Sequence, residues 1–416
     1  MAKLAINGGT PVRNTASNPW PAWPQYDQRE EDYLLEVLHS RNWGGYPAPN
    51  TQAKAFANDF AAYHGAKYGI NAVNGTVTLE VALKAAGIKA GDEVISPSYT
   101  WLATQGAAVY INAVPVFADV LENNYCLDPD AVEANITDRT RAVIAVHLGS
   151  SIADIDRLTE ICKKHNLVLI EDCAHMHGAK WRGQGVGSWG DFGSFSFQSS
   201  KLMTAGEGGL ITTSNKEYEE KCQSFINCGR KEWGYDSFSG NPFGYNYRIT
   251  EFQAGLLRAQ LDRLPEVTEL RAGNAAYLTE LLDGVESITT IKHDERTTQP
   301  AHYQYICKYN PEAFKGLHRD KFLEALSAEG VHADGDFYEP IQDRDIFSPD
   351  INEFPMLKDR YPNGITAEAV ATPVAAKAAY HEAMWFHYPY LLGTRADVEA
   401  IVEAIKKVQA NVDELL

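Results

Sequence analysis

Three things are scarce in this 416-residue chain, and each scarcity closes off a class of function. The six cysteines, Cys126, Cys162, Cys173, Cys222, Cys228 and Cys307, are scattered, with no CxxC pair and no metal-type spacing. That pattern speaks against a disulfide framework or a zinc site and for reduced thiols in a cytoplasmic protein. Long apolar runs are missing as well. No stretch approaches membrane-spanning length, and MAKLAINGGTPVR has no apolar core of the signal-peptide kind. Positive charge is in deficit: the formal net charge is −18, which excludes a general nucleic-acid binder. It still permits an anionic small ligand, because a few local donors override the overall field. No internal repeat or low-complexity tract is present. GQGVGSWG looks like a glycine-rich nucleotide loop, but no Lys-Ser/Thr follows it and it does not join a strand to a helix.

What is there is an ordinary globular composition, 44% apolar and 22% charged, in a chain long enough for a large domain and a smaller one. Residues 1–30, with NPWPAWPQY, lack periodicity and read as an arm that packs on something else. AKAFANDFAAYHG reads as a helix with a glycine stop. Short apolar strands (KYGINAV, DEVISPSY, VPVFADV, RAVIAVHL, LVLIEDCAH) then alternate with amphipathic helices such as GTVTLEVALKAAG and IADIDRLTEICKKHN. This α/β alternation predicts a mostly parallel sheet covered on both faces, with ligands at the carboxyl ends of the strands. Beyond residue 215 the pattern is helical. After about 288 it is mixed, with candidate strands HYQYICKY and HADGDFY and a last helix RADVEAIVEAIKKVQANV. The expected organisation is an arm over 1–30, a large α/β domain over 31–265 and a smaller α+β domain over 266–416.

The chemistry gathers where strands end. In FSFQSSKLMTAGEGGLITT, Lys201 follows an alternating apolar segment and precedes a glycine-rich turn. Either its ammonium reaches solvent, or it is held inside as an amine nucleophile, which requires desolvation and a fixed distance to a carbonyl. In LVLIEDCAHMHG four apolar residues run into Glu171 and Asp172. A carboxylate there needs a cationic partner or hydrogen bonds, and a protonated pyridine nitrogen is one such partner. A helix cap, or a metal site with His175 and His177, is the other reading of Asp172. Asn74, Gly75 and Thr76 stand at a strand-to-helix junction, where free amides and the helix dipole favour a phosphate. Thr76 and Thr78 serve equally well as plain caps. Trp101, just after another strand, is placed to stack on a planar ring or simply to pack.

Phosphate junction, aromatic, strand-end Asp and Lys, in that order, resemble the pyridoxal-5′-phosphate (PLP) enzymes of fold type I. More closely, the chain resembles the DegT/DnrJ/EryC1/StrS sugar aminotransferases. The resemblance runs over nearly its whole length, through LAINGGTPVR, WPAWPQ, GDEVISPSYTW, EDCAHMHGA, GDFGSFSFQSSKLMTAGEGG and GYNYRITEFQAG. It implies that Lys201 bonds covalently to PLP and shuttles protons, and that Asp172 pairs with the pyridinium nitrogen. It implies also that His175 lies near the ring hydroxyl, that Trp101 stacks on the ring, and that Gly75, Thr76 and Ser196 take the phosphate. Asn246 in GYNYR matches a residue that reaches the phosphate of a neighbouring subunit, so a homodimer with shared sites is implied. The implied reaction is ping-pong transfer of an amino group from glutamate or glutamine to a ketone on a sugar or cyclitol ring, without a metal.

The chain departs from the family around the acceptor. VHLGSSIADID has Gly149 and Ser150 where an aromatic and Gly are usual, and YEPIQDRDIF has Gln342 at a His position. MWFHYPYLL carries His387 where cyclitol enzymes have two adjacent His. Tyr338, Gln342 and His387 are therefore the expected acceptor contacts. Rival readings are an aromatising dehydratase like 3-amino-5-hydroxybenzoate synthase, with Lys201 as base and His175 as helper, and a nucleotide-linked ketosugar aminotransferase.

Overall fold

The computed structural model describes residues 3–44, 48–366 and 368–416. Two helices, α1 (Gln28–Ser40) and α2 (Thr51–His64), lead into an alternation: β1 (Tyr68–Ala72), α3 (Gly75–Ala85), β2 (Glu93–Pro97), α4 (Ala103–Tyr110), β3 (Val114–Ala118), α5 (Pro129–Asn135), β4 (Thr140–Val146), α6 (Ile155–His165) and β5 (Val168–Asp172). Two short strands, β6 (Lys180–Trp181) and β7 (Gln184–Gly185), precede β8 (Phe192–Ser196), β9 (Gly209–Thr213), α7 (Lys216–Ile226) and the long α8 (Glu251–Leu282). The large sheet has the order β1-β9-β8-β5-β4-β2-β3. Strands β3, β2, β4, β5 and β8 are parallel, and β9 runs against both β8 and β1.

Covered on both faces, the sheet's strands are apolar almost throughout. One face packs Ile70, Val94, Ile144, Ile170 and Phe192 against Leu79, Leu83 and Ile226. The other packs Phe195 and Leu210 against Phe56, Phe60 and Leu257. All parallel strands end at one edge, so the segments after Ala72, Pro97, Val146, Asp172 and Ser196 come together there, and β9 begins there at Gly209.

The smaller domain is a four-stranded antiparallel sheet of order β10-β12-β14-β13, from β10 (Ile288–Thr290), β12 (Gln304–Tyr309), β13 (Ala333–Asp334) and β14 (Ala383–His387). β11 (Thr297–Gln299) pairs instead with β6 of the large domain. Helices α9 (Arg319–Ala328), α10 (Pro373–Lys377) and α11 (Arg395–Ala410) complete this part. The domain limit expected at 265/266 falls inside α8, which carries Pro265 without ending. Ala254, Leu257, Leu264 and Val267 belong to the core of the large domain, whereas Ala275, Leu278 and Leu282 belong to that of the small one. The chain thus changes domain within one continuous helix.

The N-terminal arm is shorter than expected by three residues, because an Asp27/Glu30 capping box starts α1 at Gln28. The arm lies on the small domain. Leu4 is fully buried in its core, Arg13 Nη1 donates to Asp397 at 2.7 Å, and Trp20 packs on Tyr390 at 4.3 Å between ring centroids. Among the described residues, no helix is long and apolar enough to cross a membrane.

Candidate active site

A cavity of about 760 Å³ opens at the strand ends, between the two domains and the arm. The turn after β1 contributes Asn74, Gly75 and Thr76. The turn after β2 contributes Thr100 and Trp101, that after β4 His147, that after β5 Asp172, Ala174 and His175, and the β8–β9 connection Ser196, Lys201 and Glu207. The small domain adds Tyr303, Gln304, Tyr338, His387 and Tyr388, and the arm adds Trp23. Of the residues expected to hold the cofactor or contact the acceptor, all but Gln342 and Asn246 line this space.

Asn74 caps α3, its Oδ1 accepting from Val77 N at 2.9 Å. Thr76 is therefore not needed as the cap. The first-turn amides of Gly75 and Thr76 have no carbonyl four residues back in the helix. A Cβ on Gly75 would stand 2.7 Å from Ser196 Cβ, and one on Gly209 would stand 2.5 Å from the Asn74 backbone. Two glycines thus let the ends of β8 and β9 close on the start of α3, forming a small cradle of amides and one hydroxyl that suits a phosphate.

The lysine loop is pinned on both sides. Phe197 N donates to Gly208 O at 2.8 Å, Ala205 N to Phe197 O at 3.2 Å, and Lys201 N to Gln198 O at 2.8 Å. Lys201 Nζ lies 4.5 Å from the centroid of the Tyr303 ring, a cation–π contact that holds the ammonium inside the cavity. Tyr303 is held in turn by its hydroxyl, 3.0 Å from Ser200 Oγ, and by the His175 ring stacked on it at 4.1 Å.

Asp172 accepts from Thr104 Oγ1 at 3.0 Å and from Ala174 N at 3.2 Å. Burial pushes its carboxyl above the ordinary value, against the pull of these bonds and of Lys201. A cation set against it would restore the ionised form, and a protonated ring nitrogen meets that need. Its neighbour Glu171 points the other way. Burial alone would raise it, but His147 and the amides of Gly187 and Gly190 hold it below the usual carboxylate range.

His175 is buried, and burial together with the Lys201 charge holds it well below its ordinary value, so the ring is neutral. Gly149 N donates to its Nδ1 at 3.2 Å, which puts the ring proton on Nε2, facing Tyr338 Oη at 3.1 Å. Tyr338 accepts that proton's bond and keeps its own hydroxyl proton to donate. Both nitrogens of His175 are therefore used within the chain. The ring fixes Tyr338 and Tyr303. His177 does not join it at a metal: its Nε2 faces Ser196 O at 2.9 Å. Among the described residues, the clusters with ligand spacing are His147–Glu171–Cys173 and His332–Asp334–His387, neither of which includes Asp172, His175 or His177.

Gln342, in the turn Ile341–Asp343, is buried with Nε2 donating to Thr372 Oγ1 at 2.7 Å, and it is not among the residues that line the cavity. Asn246 lies in an extended bridge with Asn227, away from this chain's cavity. Thr104, Tyr303, Gln304 and Trp23 had no local signal in the sequence. Each is brought in by a tertiary contact.

A mostly parallel α/β sheet with a lysine, a buried aspartate and a helix N-terminus at its carboxyl edge defines an aminotransferase of fold type I. Residues 24–406 match the DegT/DnrJ/EryC1/StrS aminotransferase family, and the chain belongs to it. A Micromonospora echinospora protein provisionally named L-glutamine:3-amino-2,3-dideoxy-scyllo-inosose aminotransferase is 46% identical over 414 residues, 99% of this chain and 98% of that one. An L-glutamine:2-deoxy-scyllo-inosose aminotransferase of Streptoalloteichus tenebrarius is 37% identical over 99% of both chains. The crystal structure of 3-amino-5-hydroxybenzoic acid synthase superposes with a TM-score of 0.81 at 32% identity, covering 94% of this chain and 98% of that chain. The protein is an enzyme, an aminotransferase.

Proposed function

We infer that this aminotransferase works with PLP in the cytoplasm and moves an amino group from glutamine, or from glutamate, to a ring ketone of a free keto-cyclitol. The observation that carries the reading is the joint lining of one cavity by Lys201, Asp172 and the Gly75–Ser196 cradle. These residues fit the cofactor: the cradle and Thr76 suit its phosphate, Asp172 its ring nitrogen, the half-exposed Trp101 its ring face, and Lys201 its aldehyde carbon. Bound PLP supplies an electron sink for the charge left when a proton leaves the carbon bearing nitrogen.

The chain's own groups do the rest. With the cofactor bound, Lys201 Nζ would take the proton from the donor's α-carbon. In the second half-reaction it delivers a proton to the former ketone carbon. The Tyr303 face keeps that amine in place. Tyr338, whose hydroxyl is held protonated by burial, offers its proton to an acceptor oxygen. His387 is the other expected acceptor contact. The free cyclitol is supported by the names of the two relatives above and by the cavity itself. Among the described residues, Lys201 is the single Lys or Arg in its lining, so the lining offers no basic pair to a nucleotide diphosphate. The proton on His175 Nε2 is committed to Tyr338, which favours transamination over a dehydratase using His175 as helper.

Asn246, outside its own cavity, is assigned to the phosphate site of a second copy in a homodimer. The test is spectroscopic. PLP-loaded protein should change from the pyridoxal to the pyridoxamine absorbance with glutamine and return when a keto-cyclitol is added. Lys201→Ala should do neither, and normal turnover by that variant would overturn the reading.

A further inference from the structure

One wall of the cavity is built by the small sheet, apart from the residues assigned above to the cofactor. Gln304 of β12 stands directly opposite His387 of β14, and Asp334 of β13 is paired with Trp385, two residues before His387. Directly paired residues, and residues two apart, share a sheet face, so Gln304, His387 and Asp334 form one row. Gln304 and His387 line the cavity. His387 Nε2 lies 2.9 Å from Asp334 Oδ2, and His332 Nε2 lies 3.0 Å from Asp334 Oδ1.

The chemistry of this row is that of acceptors. His387 gives its Nε2 proton to Asp334, and an Nδ1 that carries no proton offers a lone pair. Gln304 is 2% exposed, and its Oε1 is buried without a hydrogen-bond partner. Behind them stands a carboxylate. Burial alone would raise Asp334, but His387 and His332 hold it below the ordinary value, so it stays ionised. Glu207, in the β8–β9 connection, adds a carboxylate to the lining itself. Acceptor atoms backed by negative charge suit a group with several N–H donors and a positive charge. A hydroxyl presents one donor and no charge, and gains less from the same wall.

We propose that the Gln304–His387–Asp334 row is the subsite that reads an ammonium group already carried by the keto-cyclitol acceptor, with His387 and Gln304 in contact and Asp334 positioning His387 and supplying the charge. His332 fixes the second oxygen of Asp334 and so keeps the carboxylate turned toward His387. The proposal rests on the cyclitol aminotransferase reading and goes further, in naming what distinguishes one acceptor from another and which residues do so.

The experiment compares two keto-cyclitols that differ at one ring position, amine in one and hydroxyl in the other. Their dissociation constants are measured by calorimetry on PLP-loaded wild type, Asp334→Asn and Gln304→Leu, with retained cofactor absorbance and far-ultraviolet circular dichroism as the check of folding. The expected result is a loss of about 10- to 100-fold for the amine acceptor in Asp334→Asn, as removing a charge-assisted contact predicts. The hydroxyl acceptor should shift by less than about threefold, Asp334→Glu should recover part of the preference, and Gln304→Leu should weaken the amine acceptor more than its analogue. Equal losses for both acceptors, or no loss for either, would overturn the proposal. So would one equivalent of Zn²⁺ bound by wild type and lost in Asp334→Asn without any amine preference, since the three side chains also have metal-ligand spacing. The glutamine half-reaction of wild type decides the underlying aminotransferase reading separately.

Discussion

Gly75 shows how a single side-chain hydrogen decides how closely the end of β8 can approach α3. A methyl there would come within 2.7 Å of Ser196 Cβ and 3.2 Å of its Oγ, so Gly75→Ala must push β8 away from α3. We expect a stability loss of about 1–3 kcal/mol and PLP binding weaker by about tenfold or more. Thermal unfolding of the apoprotein and equilibrium dialysis with PLP measure the two separately. At this scale the sequence was legible in what stands near the strand ends. Asp172 closes β5, Gly75 opens α3 just after β1 and Lys201 lies in the loop after β8, and a parallel sheet delivers those ends to one edge. Tyr303 was not legible. The ring that holds Lys201 enters from the other domain, and nothing local marks it. The alignment of Gln342 with a family histidine says nothing about the turn that brings it to Thr372.

Helices α1 and α8 carry the lesson at the next scale. Glu30 accepts from Arg263 Nη1 at 2.7 Å and Nη2 at 2.8 Å, and from Gln260 Nε2 at 2.8 Å, all in a buried seam. Arg263→Ala leaves a buried carboxylate without its cation and should cost about 3–5 kcal/mol, read by urea denaturation. Burial works against Glu30's ionisation, but Arg263 and the Asp27 amide win, and its folded value lies below the ordinary one. Its contribution is therefore present at neutral pH and is lost as pH falls below the usual carboxylate range. The start of α1 was readable in principle, since Asp27 and Glu30 have capping-box spacing. The continuity of α8 was harder to read. Pro265 costs a helical hydrogen bond and invites a boundary, yet apolar residues on both sides of it bury themselves in two different cores and keep the helix intact.

For the molecule as a whole, protons set the limit on stability. His64 is fully buried, donates Nδ1–H to Val186 O at 2.8 Å, and is held down to about 4 chiefly by burial. His175, His177 and His302 are lowered in the same direction. A histidine lowered on folding takes up its proton more readily when unfolded. Stability should therefore decline as pH drops from about 6.5 to about 4, by on the order of 3 kcal/mol for His64 alone. Urea midpoints across that range would show it, and a flat profile would contradict it. Assembly offers a second check. If Asn246 serves a neighbour's site, mixing inactive Lys201→Ala with inactive Asn246→Ala should restore about a quarter of wild-type activity, because half of the dimers then hold one intact site of two. No recovery would place Asn246 elsewhere. The two-domain α/β architecture was visible in the strand and helix alternation. The seating of the arm was not, since a segment without periodicity reveals its position only through its partners.

That seating has a consequence in time. Leu4 packs in a core that includes Val398 and Ile401, Arg13 bonds to Asp397, and Trp23 Nε1 donates to Ser199 O at 3.0 Å beside the lysine loop. A ribosome releases the arm before the segment around residue 398. Until that segment emerges the arm has no core to dock into, and the cavity lacks the Trp23 indole that lines it. The cavity is thus finished only after the small domain has been made, whatever the large sheet has done before then.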